Sequence, residues 1–386
     1  MPYIEGMAGR SPLIPVSVVA LALFSGVGVV SRAAAQTFDL IGHPDPNAVG
    51  FVYGLSADGS TAAGGLASGG AGFTWTRAGG RNVYGTLPGM PNTSMAYAIS
   101  GDGMWTAGQA SGGGTQAYRY RLGDPSLQML GVLPGYPSSR ALGISGNGEV
   151  VVGRNTPVGN DDFGQAFRWT STTGMVGLGF LQPGQFYSEA AAVSRDGSTI
   201  VGSVRQTSGY DQAFVWREGT GMVGLPGLSA TNDGRAFGVN PNGSLIVGSS
   251  IMGPREYATM WVNGIPVSLG LADGFTHSRA RGVNDAGSVI VGQLVGTTTT
   301  AAVWTPDRGL EPLSAYLSFH SITVPAGVNL LTATAVSADG MTITGYTGLP
   351  GFIQDGYVVH IPAPPAVVIA GAMTFAWAAC RRRQHL

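Results

Sequence analysis

Short apolar runs, most of them alternating with period two, are punctuated by Gly, Asp, Asn and Ser from Thr37 to His360. One stretch shows the pattern best. Ala190 to Ser194 is apolar and small, Arg195-Asp196-Gly197 is polar, and Ser198 to Gly202 returns to apolar character. Asp and Asn tolerate left-handed backbone and bond neighbouring amides, and Gly accepts positive φ freely. The triplet therefore predicts a hairpin turn between two short strands. Gln212-Ala213-Phe214-Val215-Trp216 alternates strictly and predicts a third strand, and Gly221 to Leu225 a weaker fourth.

The same order of runs recurs seven times. A Gly is followed five residues later by another Gly at Gly59/Gly64, Gly103/Gly108, Gly148/Gly153, Gly197/Gly202, Gly243/Gly248, Gly287/Gly292 and Gly340/Gly345, about 47 residues per unit. Asp58, Asp102, Asn147, Asp196, Asn242, Ala286 and Asp339 precede the first Gly. Ser56, Ser100, Ser145, Ser194, Asn240, Asn284 and Ser337 stand two residues further back, each after an aliphatic residue (Leu55, Ile99, Ile144, Val193, Val239, Val283, Val336). Six units carry an Ala three residues before that aliphatic: Ala96, Ala141, Ala190, Ala236, Ala280 and Ala333. Later in each unit comes Trp75, Tyr120, Trp169, Trp216, Trp261 or Trp304, with Val359 in the last.

Four short antiparallel strands in such a unit make one propeller blade. The expected fold is all-β: a seven-bladed β-propeller of four-stranded antiparallel blades over residues 36–361. The Ala column is expected to relieve crowding at the axis, and the aromatic column to fill the gaps between blades. The seventh unit runs into Pro362-Ala363-Pro364, which cannot donate a ladder of hydrogen bonds, so its blade lacks an outer strand. Phe38 to Ile41 precedes the first blade and has none of its own. It is expected to pair antiparallel with Tyr357 to His360 and close the ring.

The two ends read as addresses. Residues 13–30 are uncharged, Arg10 lies just before them, and Ala33-Ala34-Ala35 precedes Gln36. This is the layout of a signal peptide over residues 1–35, cut by signal peptidase after Ala35, with Ala33 and Ala35 as the small residues of the site. An uncleaved anchor is the alternative. At the other end, Ala366 to Cys380 carries no charge and leads into Arg381-Arg382-Arg383. An apolar stretch before an arginine cluster halts in a membrane. Fifteen residues are short for a span of about 20, which suits a transient signal better than a permanent anchor.

Residues 362–386 resemble the PEP-CTERM sorting signal of bacterial envelope proteins: a Pro-Glu-Pro motif, an apolar helix and a basic end. Here the motif is Pro362-Ala363-Pro364, without the glutamate. The resemblance implies an exosortase-like membrane enzyme as partner and membrane association before processing. The repeats themselves resemble the HAF repeat of extracellular bacterial proteins. Gln165-Ala166-Phe167, Gln212-Ala213-Phe214 and Gln116-Ala117-Tyr118 match the His-Ala-Phe core with Gln in place of His. This resemblance covers residues 37–360 and implies a secreted or cell-surface protein.

Charge narrows the partners. There is no lysine, and once Arg10, Arg32, Arg381 to Arg383 and Glu5 are set aside, residues 36–361 carry a net charge near −5. A mildly acidic domain lacks the basic face that nucleic acid requires. The single cysteine, Cys380, lies in the tail, so the repeats have neither a disulfide nor a thiolate metal site. No cofactor is implied.

Candidate catalytic groups are sparse. The recurring Asp sits at a hairpin tip, where Asn or Ala replaces it, as turn chemistry allows and catalysis does not. His277 and His320 fall in loop-like stretches and read as surface residues. Asn160-Asp161-Asp162 lacks EF-hand spacing. An enzyme would need non-repeating polar residues gathered at one end of the axis. The insertion Ser314 to Leu331, which could supply them, carries no acid. The sequence is thus expected to encode a non-catalytic binding or scaffold module, with a glycan or matrix component as its ligand. The alternative is a propeller-type carbohydrate-active enzyme, a glycosidase or lyase.

Overall fold

The computed structural model describes residues 37–42, 50–66, 70–84, 93–112, 114–157, 162–349 and 353–362. Within them the chain is a seven-bladed β-propeller of four-stranded antiparallel sheets. The first six blades use consecutive strands. Blade four, for example, runs Ser188–Val193, Thr199–Arg205, Asp211–Arg217 and Gly221–Gly224 from axis to rim. Blade seven combines Asn329–Val336, Thr342–Leu349 and Ile353–His360 with Thr37–Leu40 as its outer strand. The register is Thr37 to His360, Phe38 to Val359, Asp39 to Val358 and Leu40 to Tyr357, antiparallel, as the sequence predicts. Ile41 N–H continues the ladder to Gly356 O (2.9 Å), and Phe38 stacks on Tyr357 with ring centres 5.8 Å apart.

The two Gly columns do different jobs. Every Gly of the first adopts positive φ, between 70° and 80°, at the hairpin tip. Every Gly of the second lies against a bulge: in all seven blades the inner strand shifts register just after the Ala column. The bulge drives a carbonyl into the neighbouring strand. A Cβ on Gly202 would sit 1.8 Å from Glu189 O, and one on Gly108 1.7 Å from Met95 O. No side chain fits there.

The hairpin tip is a closed hydrogen-bond circuit. Ser194 Oγ donates to Asp196 Oδ1 and accepts from Thr199 N–H (2.9 Å), while Asp196 Oδ1 accepts from Ser198 N–H (3.0 Å). Where Asn replaces Ser, as at Asn284, its Oδ1 accepts from Val289 N–H and its Nδ2 donates to Ser288 Oγ instead. That circuit needs no carboxylate, which explains why Ala286 is tolerated in blade six. Burial pushes the Asp58 and Asp196 carboxyls up, but the bonds from serine hydroxyls and amides outweigh it and hold both below the usual range. A carboxyl depressed on folding stabilises above its unfolded pKa, so this contribution is present above about pH 4 and is lost as pH falls further. Ser194→Ala strands the buried Thr199 amide and is expected to cost about 1–3 kcal/mol in denaturant unfolding. Asp196→Asn, which copies blade three at Asn147, should cost well under half as much. Equal losses would show that the carboxylate, not the serine, organises the turn.

Apolar packing is concentrated at the seams. The buried clusters number seven among the described residues, one between each pair of adjacent blades. Trp169, for instance, packs with Phe167 and Val151 of its own blade against Ala107 and Ala117 of blade two. The aromatic column therefore fills the gaps as expected. A device that the sequence reading passed over reinforces four seams. Ser94, Ser139, Ser188 and Ser278 open inner strands and accept a backbone N–H from the preceding blade, Gly72, Ala117, Ala166 and Ala258 (2.8–2.9 Å).

One expectation needs correction. The Ala column does not relieve crowding at the axis; it is buried inside the seams, with Ala141, Ala190 and Ala333 fully enclosed. Neighbouring inner strands crowd one another two residues later, at Gly54, Ala98, Gly143, Ala192, Gly238, Gly282 and Ala335. There a Cβ on Gly238 would lie 2.6 Å from Arg281 O of the next blade. The insertion after blade six, apolar in sequence, begins as a short helix. Leu313–Phe319 is a helix whose Leu313, Tyr316 and Leu317, spaced i, i+3, i+4, enter the seam between blades six and seven.

Candidate functional site

Side chains of the inner strands alternate between seam and axis, as in the buried-then-half-buried pattern of Gly50–Leu55. The positions one before, one after, three after and five after the Ala column therefore form four rings down a central channel. The third ring is the aliphatic column, a waist of seven branched side chains. Beyond it lies a small hollow of about 130 Å³ that includes Arg195 and Asp285. These two, from blades four and six, form a bidentate ion pair across that end (both contacts 2.8 Å). Glycine makes room for it: a Cβ on Gly146 would lie 2.1 Å from Arg195 Cγ.

The opposite mouth is open and chemically richer. A cavity of about 250 Å³, lined by inner strands of all seven blades, descends to the waist. On blades one and two Tyr53 and Tyr97 line it, and Phe51 and Tyr346 extend the aromatic group beside them. Tyr53 and Tyr97 rings are 5.2 Å apart, Phe51 meets Tyr346 edge-on at 5.4 Å, and Tyr53 lies 6.5 Å from Tyr346. Burial, reinforced by Tyr97 and Tyr346, pushes the Tyr53 hydroxyl far above its ordinary value, against the opposing pull of Arg281 and Arg140. Burial also raises Tyr97. Both remain neutral hydrogen-bonding groups at any physiological pH.

Blades three to six contribute charge at the same mouth. Arg235 bonds Asp211, and Arg279 Nε donates to Glu256 Oε2 (2.8 Å), while Oε1 of the same carboxylate accepts from Ser249 Oγ. Arg154 pairs with Glu189 at 3.4 Å, and Arg205 bridges Asp211 and Asp162. Arg140 and Arg281 differ. Each donates Nε to a glutamine Oε1, Gln109 (2.6 Å) and Gln293 (3.1 Å), and neither has a carboxylate within ion-pair distance among the described residues. Burial pulls the Arg281 guanidinium below its usual value. A hollow of about 400 Å³ beside the helix is lined by residues such as Thr298, Val324 and Leu330, with no ionisable side chain.

The sequence-predicted residues fare unevenly. Ala33, Ala35 and Gln36, and Ala363, Pro364 and Arg381 to Arg383, lie outside the described residues; Pro362 is the last residue before that boundary. His277 is not in a loop but opens an inner strand, and its Nδ1 accepts from Glu256 N–H (3.1 Å). His320 closes the helix, its ring against Tyr316 and Phe319. Asp162 pairs with Arg205; Asn160 and Asp161 lie outside the described residues. Among the described residues, no three His, Cys, Asp or Glu side chains converge as metal ligands do. The mouth residues escaped sequence reading because they occupy the variable positions between repeat columns. The available signal was that variability itself, on the axis-facing side of each inner strand.

No protein-family model and no curated protein sequence matches the chain. Solved structures do. An oligogalacturonate lyase from Vibrio parahaemolyticus is similar at 11% identity over 85% of this chain and 97% of that one, with a TM-score of 0.56. An oligogalacturonate lyase in complex with manganese is similar at 14% identity over 86% and 98%, with a TM-score of 0.55. The β-propeller domain of the Trilobed protease from Pyrococcus furiosus, described as having an open velcro topology, matches at 10% identity over 81% and 95%, with a TM-score of 0.52. At such identities the likeness is one of fold alone.

Proposed function

We propose that this is an exported, non-catalytic repeat protein of the HAF type, acting at the bacterial cell surface or outside the cell as a binding or scaffold module. Its ligand is a glycan or matrix component taken at the aromatic and arginine-lined mouth. Signal peptidase releases the chain at Gln36, and an exosortase-like enzyme handles the tail. One observation carries the binding reading. Tyr53 and Tyr97 line the cavity with Tyr346 beside Tyr53, and none of the three hydroxyls has a hydrogen-bond partner among the described residues. Aromatic faces with free polar rims suit a ligand that has apolar faces and hydroxyl edges.

The test is a glycan array probed with the protein recovered from its own envelope or medium, together with mass spectrometry of its termini. Binding to a defined set of glycans is expected, lost on Tyr97→Ala, with Gln36 as first residue. A silent array, or an intact Met1, overturns the corresponding half of the proposal.

A second reading, a glycosidase or lyase, is favoured by one pair of groups. Burial, and then the charge of Asp211, raises the Asp233 carboxyl, while Asp211 is held between Arg205 and Arg235. Two carboxylates in such unequal settings can divide acid and base roles. Turnover of any saccharide that Asp233→Asn abolishes, with binding intact, would favour this reading over the first.

A further inference from the structure

We infer that the mouth takes an acidic saccharide, a sugar bearing a carboxylate, seated against the Tyr53–Tyr97 pair with its carboxylate between Arg140 and Arg281. This rests on the binding reading above and names the ligand class.

The mouth arginines are held in two different ways. Arg235 and Arg279 spend their charge on Asp211 and Glu256. Arg140 and Arg281 are fixed through Nε by neutral glutamines, which position a guanidinium without cancelling its charge. Their Nη groups have no hydrogen-bond acceptor among the described residues and remain accessible. Arg281 is half-buried, with its guanidinium over the Phe237 ring at 5.6 Å. A cation so placed is unfavourable unless an anion completes it, and the planar fork matches a carboxylate with two parallel bonds. Arg281 of blade six lines the same cavity as Tyr53 and Tyr97. Arg140 also lies over the Tyr97 ring at 5.9 Å.

The aromatics decide what carries the anion. A free phosphate or carboxylate would use the forks and leave the rings idle. A sugar ring places its C–H face on an aromatic face and its hydroxyls at the rim, where three unpartnered phenol groups wait. An acidic peptide is the rival class.

The experiment is calorimetric titration of the mature protein with three probes: a uronic-acid hexasaccharide, its carboxyl-reduced neutral counterpart, and hexaglutamate. The hexauronate should bind, at least tenfold more tightly than the reduced form, and more weakly as salt rises. Arg281→Gln should lose at least tenfold for the hexauronate and leave the reduced form unchanged, with Arg281→Lys between. Tyr97→Leu should weaken both saccharides alike. If Arg281→Gln fails to fold, Arg140→Gln makes the same test. Equal binding of charged and reduced saccharides overturns the acidic assignment but spares the glycan reading. Binding of hexaglutamate alone, or of nothing, overturns both.

Discussion

Removal of residues 37–42 is expected to destabilise the propeller by on the order of 5 kcal/mol, a large part of a typical folding free energy. The segment supplies the whole outer strand of blade seven. Without it, Ile41 no longer packs with Val52 and Val358, Phe38 no longer stacks on Tyr357, and Asp39 no longer pairs with Arg77 of blade one. Two apolar side chains at roughly 1.5–3 kcal/mol each account for most of the estimate. Ile353–His360 would also present an unpaired edge, which invites pairing with another chain. Thermal unfolding should show a midpoint many degrees lower, and light scattering a concentration-dependent dimer. A midpoint within 2 °C of the intact protein would mean that the ring holds without its clasp.

Gly202→Ala is expected to be the most damaging single methyl group in blade four, at about 3 kcal/mol or more, the upper range for overpacking a tight interior. The added Cβ would meet Glu189 O at 1.8 Å, and the carbonyl cannot retreat without undoing the bulge. Gly219→Ala in the same blade separates crowding from backbone strain. Gly219 has φ of 88° with open space around it, so that change should cost only the left-handed penalty of about 1–2 kcal/mol. Denaturant unfolding of the pair decides the matter. If Gly202→Ala costs no more than Gly219→Ala, the bulge is pliable and the second Gly column needs another explanation.

Blade number, strand order and ring closure were legible in the sequence because each rests on local, repeated physics. A hairpin tip needs a Gly at positive φ whatever surrounds it, and a seam needs a large apolar side chain at the same place in every unit. The role of Ala190 was misread because its smallness serves the seam with the preceding blade, whereas Ala192, two residues on, meets the inner strand of the next; a column shows that a position is small, not which neighbour makes it so. The helix at Leu313–Phe319 was missed because seven residues give barely two turns of periodicity. The mouth was illegible for a deeper reason. Tyr53, Tyr97, Arg140 and Arg281 come from four blades and share no motif, and only curling the sheets into a ring brings them together. His277, read as a surface loop residue, is fixed by an amide of the preceding blade, a contact with no sequence signature.

The clasp of blade seven also sets an order in time. Thr37–Leu40 leaves the ribosome about 320 residues before its partner, Tyr357–His360. At roughly 5–20 residues per second it waits unpaired for about 15–60 s while six blades are made. Contacts of such long sequence separation form late and slowly. Blades one to six can each form as their own hairpins appear, but the ring cannot shut until the last strand arrives. A chain cut short before Tyr357 offers that first segment nothing to pair with and stays open. Closure is therefore a checkpoint: the ring locks only once the last strand of blade seven has been made.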